Sequence, residues 1–485
     1  MTDIATSLPG GETRPPAAQP LGVRGWLTLL TLCGATFMTG LDYSIIMVAL
    51  PEIGEDLGFA STSSLQWVAT ACVLPTAALL PLCGRLSDLT GRRRLFLMGV
   101  GAFTALSLLA GLATSPGLLI AARAGQGIAA AAIGATAMAL MTTVFPEGPR
   151  RTKALSINGA LLSLGFVIGT IGGGVIVSGL NWRWTMLLLV AMGALILTGG
   201  LGTLPRVGGR TASSLDVPGA LLASGGLFAL VYAVSTGADA GWSAPSTLGA
   251  FVAAVALLGG FLAAEARHHS PLVPLRLLNR PSVKWSSLIG LITFGMCGGT
   301  TLLLSLYMQD VLGWSPLRTG FGFLAEGAAA LLAGTLASRL IGARGTVPAL
   351  VTGLTVQGVG TAAMVWLPAE GNLPLLLVTS GAMGLGHVLT VVAFITTLTS
   401  GLPDEDQGVA GSLAQMPQFV GAIGVAGLSA VATARTAALN GSTGETTATL
   451  GGLHAAMLTA GVITLAGLGL TALLRRRLGA EHTRP

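Results

Sequence analysis

Long apolar runs, separated by short polar connections, dominate this chain. An α-helix needs about 20 apolar residues to cross the hydrocarbon core of a bilayer. Fourteen runs of about that length can be delimited, and they leave no room for a soluble domain. They are 26–50, 62–83, 95–114, 117–145, 155–179, 184–204, 215–236, 245–265, 285–309, 317–340, 346–367, 373–400, 409–434 and 452–474. The sequence therefore predicts an all-α polytopic membrane protein.

The composition excludes several classes of function. Only 9% of the 485 residues are charged, whereas a soluble domain usually carries about 25%. The basic residues are dispersed over short connections, so we expect no nucleic-acid partner. The sequence contains no phosphate-cradling loop and no Ser/His or Cys/His catalytic constellation. We therefore expect no enzymatic activity, no cofactor and no metal, and we expect the four cysteines to be buried packing residues.

The distribution of basic residues predicts the orientation. With the N-terminus inside, all but four of the 25 basic residues fall on inner connections or tails, as the positive-inside rule requires. The four exceptions are Arg123, Arg183, Arg318 and Arg435. We predict a multi-pass protein of the cytoplasmic membrane with both termini in the cytoplasm. The inner loop 401–408 departs from the pattern, because it carries three acids and no basic residue.

A weak internal repeat predicts two related halves. The segment Gly334–Arg344 resembles Gly84–Arg94, with Ser338 opposite Asp88, and both copies follow the second run of a six-run set. Paired halves are typical of transporters with alternating access. We therefore predict five segments: a cytoplasmic tail (1–25), a six-helix bundle (26–204), a two-helix insertion with linkers (205–283), a second six-helix bundle (284–474) and a basic cytoplasmic tail (475–485).

The segment Gly84–Arg94 is rich in glycine and charge, and we predict a tight inner loop there. Glycine permits a sharp turn, and an aspartate can accept hydrogen bonds from an arginine or a helix N-terminus. The segment resembles the signature of the major facilitator superfamily, with matches at Gly84, Leu86, Asp88, Gly91 and Arg92. The resemblance implies that Gly84, Asp88, Gly91 and Arg92 form a latch between the halves. The alternative is a plain positive-inside anchor.

The first run contains Asp42, about 13 Å from its outer end. The segment 41–51 resembles the signature of the fourteen-span drug/proton antiporter branch of that superfamily, although Ser44 and Met47 depart from it. A carboxylate at this depth needs a partner, water or a proton. We predict that Asp42 loads and releases a proton. The alternative is a fixed structural partner.

The fourth run contains Arg123, about 10 Å below its outer end and thus close to the depth of Asp42. The segment 123–127 resembles an arginine–glutamine–glycine element of the same family. Because arginine stays charged, we predict that Arg123 and Asp42 interact directly or through water, and that protonation of Asp42 loosens the pair. A static brace is the alternative.

The fifth run resembles the antiporter motif of the family, except that Thr170 replaces the usual proline. The resemblance implies a role in antiport, and ordinary packing of small residues is the alternative. The matching glycines are Gly165, Gly169, Gly173 and Gly174.

Two further ionisable residues lie inside runs. Glu326, about ten residues below the outer end of the tenth run, can bind a cationic substrate or a second proton. Its alternative role is a hydrogen bond to a neighbouring helix. His387 in the twelfth run can titrate, or can serve as a hydrogen-bonded packing residue.

The resemblance as a whole implies a fourteen-helix transporter with a major facilitator fold: two six-helix bundles plus a central two-helix insertion. It implies efflux of an amphipathic drug or antibiotic in exchange for protons, with self-resistance of an antibiotic producer as one form. The expected partners are a small-molecule drug or antibiotic, protons and membrane lipid, and we expect a monomer. The alternatives are an importer or metabolite carrier on the same fold, and a membrane receptor that does not transport.

Overall fold

The computed structural model describes residues 22–59, 62–205, 216–267, 273–403, 406–440 and 444–482, and these are almost entirely helical. A π-helical turn, Tyr307–Val311, follows α10, and a 3-10 turn, Met364–Trp366, follows α13. The α-helices of the described ranges are α1 (Val23–Leu57), α2 (Thr62–Thr90), α3 (Arg92–Gly111), α4 (Pro116–Val144), α5 (Pro149–Gly179), α6 (Trp182–Thr203), α7 (Val217–Ala240), α8 (Pro245–Glu265), α9 (Leu275–Asn279), α10 (Pro281–Leu306), α11 (Pro316–Gly322), α12 (Leu324–Arg344), α13 (Thr346–Ala363), α14 (Leu373–Thr399), α15 (Gln407–Val420), α16 (Ala422–Leu439) and α17 (Glu445–His482).

Most of the predicted runs are long helices. In the part of the chain that the structure describes, thirteen segments are long and apolar enough to cross a membrane, where α11–α12 and α15–α16 each count as one. The remaining predicted run is α7, a helix of 24 residues whose described apolar part is Pro218–Val234. All four cysteines are buried and form no disulfide bonds, as expected.

Side-chain caps fix where several helices begin. Ser115, Asn181, Ser315 and Asn372 each precede a helix and accept a hydrogen bond from a backbone N–H of its first turn. These caps satisfy donors that have no partner within the helix. Helices α4 and α14 are each the fourth membrane-spanning segment of their half. Their caps, Ser115 and Asn372, therefore give a common starting point for comparing the two helices residue by residue.

The two halves pack directly on one another. Helices α1–α6 form the first half and α10–α17 the second, and the interface pairs α5 with α12 and α14, and α2 and α4 with α15. Glycines allow the close approach: a methyl group on Gly411 of α15 would come 3.0 Å from the carbonyl oxygen of Ala135 in α4. The hairpin α7–α8 lies outside the halves, and α7 packs on α2 through Tyr232 and Trp67, whose rings are 6.2 Å apart.

The predicted loop at Gly84–Arg94 is wrong. Helix α2 continues through Thr90, α3 begins at Arg92, and only Gly91 separates them, with φ at 97°. The left-handed backbone conformation that turns the chain needs a single glycine. Ser87 and Asp88 before this glycine and the arginines after it are all helical, so polar residues alone do not indicate a loop.

The second copy of the repeat turns at Gly345, with φ at 84°, between α12 and α13. Asp88 and Gly342 each lie three residues before the turn glycine, so Gly342 and not Ser338 is the structural equivalent of Asp88. The sequence alignment was displaced by one helical turn. The second copy still lacks the acid.

The structure differs from the predicted helices at two further places. The thirteenth run forms two helices, α15 and α16, which meet at Gly421 four residues after Pro417. The predicted basic tail is partly helical, because α17 continues to His482 through three arginines. Arginine and leucine are good helix formers, and positive charge at a helix C-terminus is favourable. Of the predicted tails 1–25 and 475–485, residues 1–21 and 483–485 lie outside the described residues, and α1 already begins at Val23.

Candidate functional site

Asp42 and Arg123 form a direct ion pair inside the first half. The Arg123 Nη1 atom lies 2.6 Å from Asp42 Oδ1, and both residues are almost fully buried. The predicted interaction is thus confirmed in its direct form. The pair joins α1 to α4, in agreement with the similar depths predicted for the two residues from their positions in the first and fourth runs.

The arginine has two further acceptors. Its Nε donates to the carbonyl oxygen of Val68 in α2 at 3.1 Å, and its Nη1 donates to Gln126 Oε1 at 3.0 Å. Gln126 Nε2 in turn donates to Ser107 Oγ of α3 at 2.8 Å. One buried network therefore links α1, α2, α3 and α4. Arg123 keeps two of its acceptors whether or not Asp42 is charged.

Burial decides what the pair can do. Removing one partner of a buried ion pair costs about 3–5 kcal/mol, because the remaining charge is left uncompensated. The pair therefore ties α1 firmly to α4. Besides the carboxylate, Arg123 has two neutral acceptors, Val68 and Gln126.

The glycines of the fifth helix form the face that packs on α1. A methyl group on Gly165 would come 2.7 Å from the Phe37 carbonyl oxygen, and one on Gly173 would come 3.1 Å from Ile45 Cγ1. Between them, a methyl group on Gly169 would collide with Ser44 Oγ and lie 2.8 Å from the Leu41 carbonyl oxygen. This face therefore holds the segment that carries Asp42.

The remaining features of this motif are local. Thr170 donates its hydroxyl to the carbonyl oxygen of Phe166 at 3.0 Å, the helix back-bond expected of a threonine in place of proline. The carbonyl oxygen of Gly174 accepts a hydrogen bond from Ser178 Oγ at 2.8 Å. Neither contact reaches another helix.

The α1–α5 contact makes a stability prediction. Gly169→Ala should destabilise the protein by about 1–3 kcal/mol, because the added methyl group overpacks a closed interface. Gly172→Ala is the matched control, since a methyl group there meets nothing within 4 Å. Thermal unfolding of the purified variants in detergent checks this: the midpoint should fall for Gly169→Ala and stay level or rise for Gly172→Ala. Equal midpoints would contradict the close packing.

The predicted latch residues lie at the contact between the halves. Asp88 Oδ1 accepts hydrogen bonds from Arg92 Nε at 3.2 Å and Nη2 at 2.9 Å, and Arg92 also donates to Thr143 Oγ1 of α4. The Asp88 carboxylate lies directly against Gly408 in the first turn of α15, where the helix dipole favours negative charge. A methyl group on Gly84 would come 2.8 Å from the carbonyl oxygen of Gly408. The first half thus contacts the second through α2.

A second set of contacts joins the halves beside the latch. The connection 400–406 between α14 and α15 receives bonds from two separate segments. Glu147, in the turn between α4 and α5, accepts a hydrogen bond from the Gly401 N–H at 2.7 Å and pairs with Arg151 at 3.2 Å. From the segment that precedes α10, Arg280 donates to the Gly401 carbonyl oxygen at 2.9 Å, and Arg276 pairs with Asp406 at 3.2 Å. We call this set of contacts the clasp.

The clasp gives a partner to one acid of the loop that departs from the charge pattern. Asp406 is nearly buried and has an arginine partner from another segment of the chain. Its negative charge is therefore balanced by a basic residue of a neighbouring connection. Asp404 and Glu405 lie outside the described residues. The end of the bundle that carries the clasp and the latch is closed in this structure, and we call it the arginine-rich end.

Glu326 and His387 lie in the second half and are not joined to the Asp42 network. The Glu326 side chain on α12 packs against Gly384 of α14. His387 is buried, with Nδ1 3.3 Å from Thr293 Oγ1 and its ring edge-on to Phe294 at 4.9 Å. Gln357 completes that cluster, because its Nε2 donates to the Thr293 carbonyl oxygen at 3.0 Å.

Sequence reasoning missed several residues of these sites. Val68 contributes only a backbone carbonyl, and Glu147 pairs with a residue 254 positions away in the chain. No local pattern marks either of them. Similar depth in the membrane was the one sequence feature that predicted a contact between distant segments, that of Asp42 with Arg123.

This fold and these sites define a secondary transporter: two helical halves with a buried ion pair in one and a closed contact at one end. The chain belongs to the Major Facilitator Superfamily, whose model matches residues 32–426. It is therefore a multi-pass membrane transporter and not an enzyme.

Relatives of similar length carry descriptions of antibiotic export or resistance. The chain is 39% identical to the cephamycin export protein CmcT of Amycolatopsis lactamdurans, over 81% of this chain and 82% of that protein. It is 35% identical to the puromycin resistance protein pur8 of Streptomyces alboniger, over 84% and 81%. It is 31% identical to the tetracenomycin C resistance and export protein of Streptomyces glaucescens, over 85% and 76%.

A solved structure shows the same fold at low sequence identity. The human organic anion transporter MFSD10 (TETRAN) superposes with a TM-score of 0.61 at 17% identity, covering 94% of this chain and 100% of that chain. At this identity the likeness concerns the fold alone.

Proposed function

We propose that this transporter exports an amphipathic antibiotic or drug across the cytoplasmic membrane in exchange for protons, with both termini in the cytoplasm. The relatives' descriptions support the direction and the class of substrate. The observation that carries the proton coupling is the buried Asp42–Arg123 pair. Self-resistance of an antibiotic producer is one setting in which such export serves the cell.

The proposed coupling uses the spare acceptors of Arg123. When Asp42 takes up a proton, its attraction for the guanidinium falls, and Arg123 remains bound to Val68 and Gln126. Because the network spans four helices, a change in this pair acts on the contacts among α1, α2, α3 and α4. Asp42 adjoins Tyr43, whose ring is exposed and lies 6.5 Å from that of Phe166. A substrate that contacts Tyr43 would thus lie next to the proton site.

The energy available is sufficient without a nucleotide. Moving one charge through 100 mV supplies about 2.3 kcal/mol, so one or two protons per cycle support a useful substrate gradient. The arginine-rich end must open once in each cycle, because alternating access exposes the central site to the two sides in turn.

Everted membrane vesicles test the proposal. With a pre-formed pH gradient, puromycin or a cephamycin should release protons from vesicles that contain the protein and not from vesicles without it. Expression in a susceptible host should raise resistance to the same compound. If no compound in a broad antibiotic panel collapses the gradient or changes susceptibility, the exporter proposal fails. Accumulation of a compound in intact expressing cells would instead favour an importer.

A further inference from the structure

Glu326 is an acidic residue inside the second half for which the described residues supply no ion-pair partner. Its Oε2 atom is buried and, across the described ranges, has no hydrogen-bond partner. The residue as a whole is half-buried. A buried carboxylate in a membrane is costly unless something neutralises it. The charge is therefore neutralised either by a proton or by a cationic ligand that the described residues do not supply.

Helix α14 supplies the nearest surroundings of Glu326. A methyl group on Gly384 of α14 would come 2.6 Å from Glu326 Cγ, so only a glycine leaves room for this side chain. Helix α14 also packs on α10, which carries Cys297. The site thus lies at the contact of α12 with α14.

In the first half, too, a glycine of the fourth membrane-spanning segment packs closely against a residue of the second. Cys72 lies ten residues after Thr62, where α2 begins, and Glu326 lies ten residues after Pro316, where α11 begins. Gly127 and Gly384 each lie twelve residues after the cap of their helix. A methyl group on Gly127 would collide with the backbone of Cys72, just as one on Gly384 would meet Glu326. Cys72 and Glu326 therefore occupy equivalent positions.

The two halves place thiol and acid in opposite order. In the first half Asp42 is on the first helix, with the Cys72 thiol of the second helix 3.9 Å from its Oδ2. In the second half the thiol, Cys297, is on α10 and the acid, Glu326, is on α12. Each half thus has one carboxylate and one cysteine on its first two membrane-spanning segments.

The halves differ in the positive charge. Arg123 lies eight residues after the cap Ser115, and the residue eight after the cap Asn372 is Ser380. Ser380 is buried, and its hydroxyl bonds to the Leu377 carbonyl oxygen of its own helix at 3.4 Å. Asp42 has an internal arginine where Glu326 has none.

We infer that Glu326 binds the cationic group of an amphipathic substrate, an inference that rests on the proposed export function. The missing arginine leaves the place of a positive charge to the ligand. Phe294 lies one turn from Cys297 on α10, and His387 lies one turn from Gly384 on α14, with their rings in contact. Aromatic rings on the helices around an acidic residue suit an organic cation. Coupling and recognition are thereby divided, Asp42 in the first half and Glu326 in the second.

Binding of tetraphenylphosphonium to the purified full chain in lipid nanodiscs tests this site. Glu326→Gln should weaken binding at least tenfold, whereas Glu326→Asp should restore it to within a few-fold. Glu445→Gln, at an exposed acid in the first turn of α17, should bind the cation like the unmodified protein. Neutral triphenylphosphine oxide is the matched probe, and its binding should not distinguish Glu326→Gln from the unmodified chain.

Several outcomes overturn the inference. Equal binding of the cation by Glu326→Gln and the unmodified protein removes Glu326 from recognition. Absence of cation binding by the unmodified protein has the same effect, and it leaves the export proposal to the vesicle measurement with antibiotics. A loss of both probes in Glu326→Gln, without rescue by Glu326→Asp, would indicate a structural role. Intact cation binding with a reduced number of protons released per antibiotic would assign Glu326 to a second proton.

Discussion

Asp42→Asn should abolish proton-coupled efflux and leave the protein in the membrane. The amide keeps the shape of the carboxylate, but it can neither carry a proton nor balance Arg123. Because both residues are nearly buried, the unbalanced guanidinium should also cost about 3–5 kcal/mol of stability. Substrate-induced proton release in everted vesicles should fall to the level of vesicles without the protein.

A double variant separates coupling from stability. Asp42→Asn with Arg123→Gln removes both charges, so no unpaired buried charge remains. Thermal stability should recover by most of the loss seen in Asp42→Asn, because the interaction energy of a contacting pair appears in such a cycle. Coupled efflux should not recover. Full gradient-driven efflux in either variant would remove Asp42 from the proton path.

The outcome of this cycle also decides between the two interpretations of the pair. A static brace predicts that transport returns when stability returns. A proton carrier predicts that stability returns alone. The spare acceptors of Arg123, Val68 and Gln126, favour the second result, since they hold the guanidinium when the carboxylate is neutral.

The sequence predicted the pair because depth in a membrane is a one-dimensional coordinate. A residue's distance from the end of its apolar run gives its height in the bilayer, and Asp42 and Arg123 have similar heights. Two opposite charges at the same height inside a helical bundle are expected to pair, because an unpaired charge in the membrane is costly. Their partner Val68 contributes a backbone carbonyl, which every residue has, and so left no trace in the sequence.

The contacts at the arginine-rich end could not be predicted in the same way. Glu147 and Gly401 lie in different halves, and the packing of α5 on α14 and of α15 on α4 brings their connections together. The acidic loop 401–408 did carry a signal, because it departed from the charge asymmetry. The partners Arg276 and Arg280 became visible only once the chain preceding α10 was placed beside that loop.

The relation between Cys72 and Glu326 also needed the helix boundaries. The sequence repeat was aligned on the polar residues near Gly84 and was displaced by four positions. The turn glycines Gly91 and Gly345 give the correct alignment, because a left-handed backbone is a structural landmark. With that alignment the acid of the second half falls opposite a cysteine, which the sequence pattern alone did not indicate.

Gly408→Ala should open the arginine-rich end and reduce transport strongly. A methyl group there would collide with the Asp88 carboxylate, which packs against this glycine. Overpacking typically costs about 1–3 kcal/mol, and each 1.4 kcal/mol changes a conformational ratio about tenfold. The closed arrangement should therefore lose population by about tenfold or more relative to the open one. Gly427→Ala in α16 is the matched control, because its methyl group meets nothing within 4 Å.

Spin labels at Thr90→Cys and Pro403→Cys report this opening, since both positions are exposed at the arginine-rich end. The four native cysteines are buried and can be replaced by serine or alanine beforehand. Pulsed electron–electron distance measurements should show a longer distance in Gly408→Ala, while Gly427→Ala keeps the distribution of the parent. An unchanged distribution in Gly408→Ala would mean that the clasp at Glu147 and Gly401 holds this end without the Asp88 contact. Adding Glu147→Gln to Gly408→Ala should then produce the opening, whereas a closed end in that double variant would show that neither contact controls access.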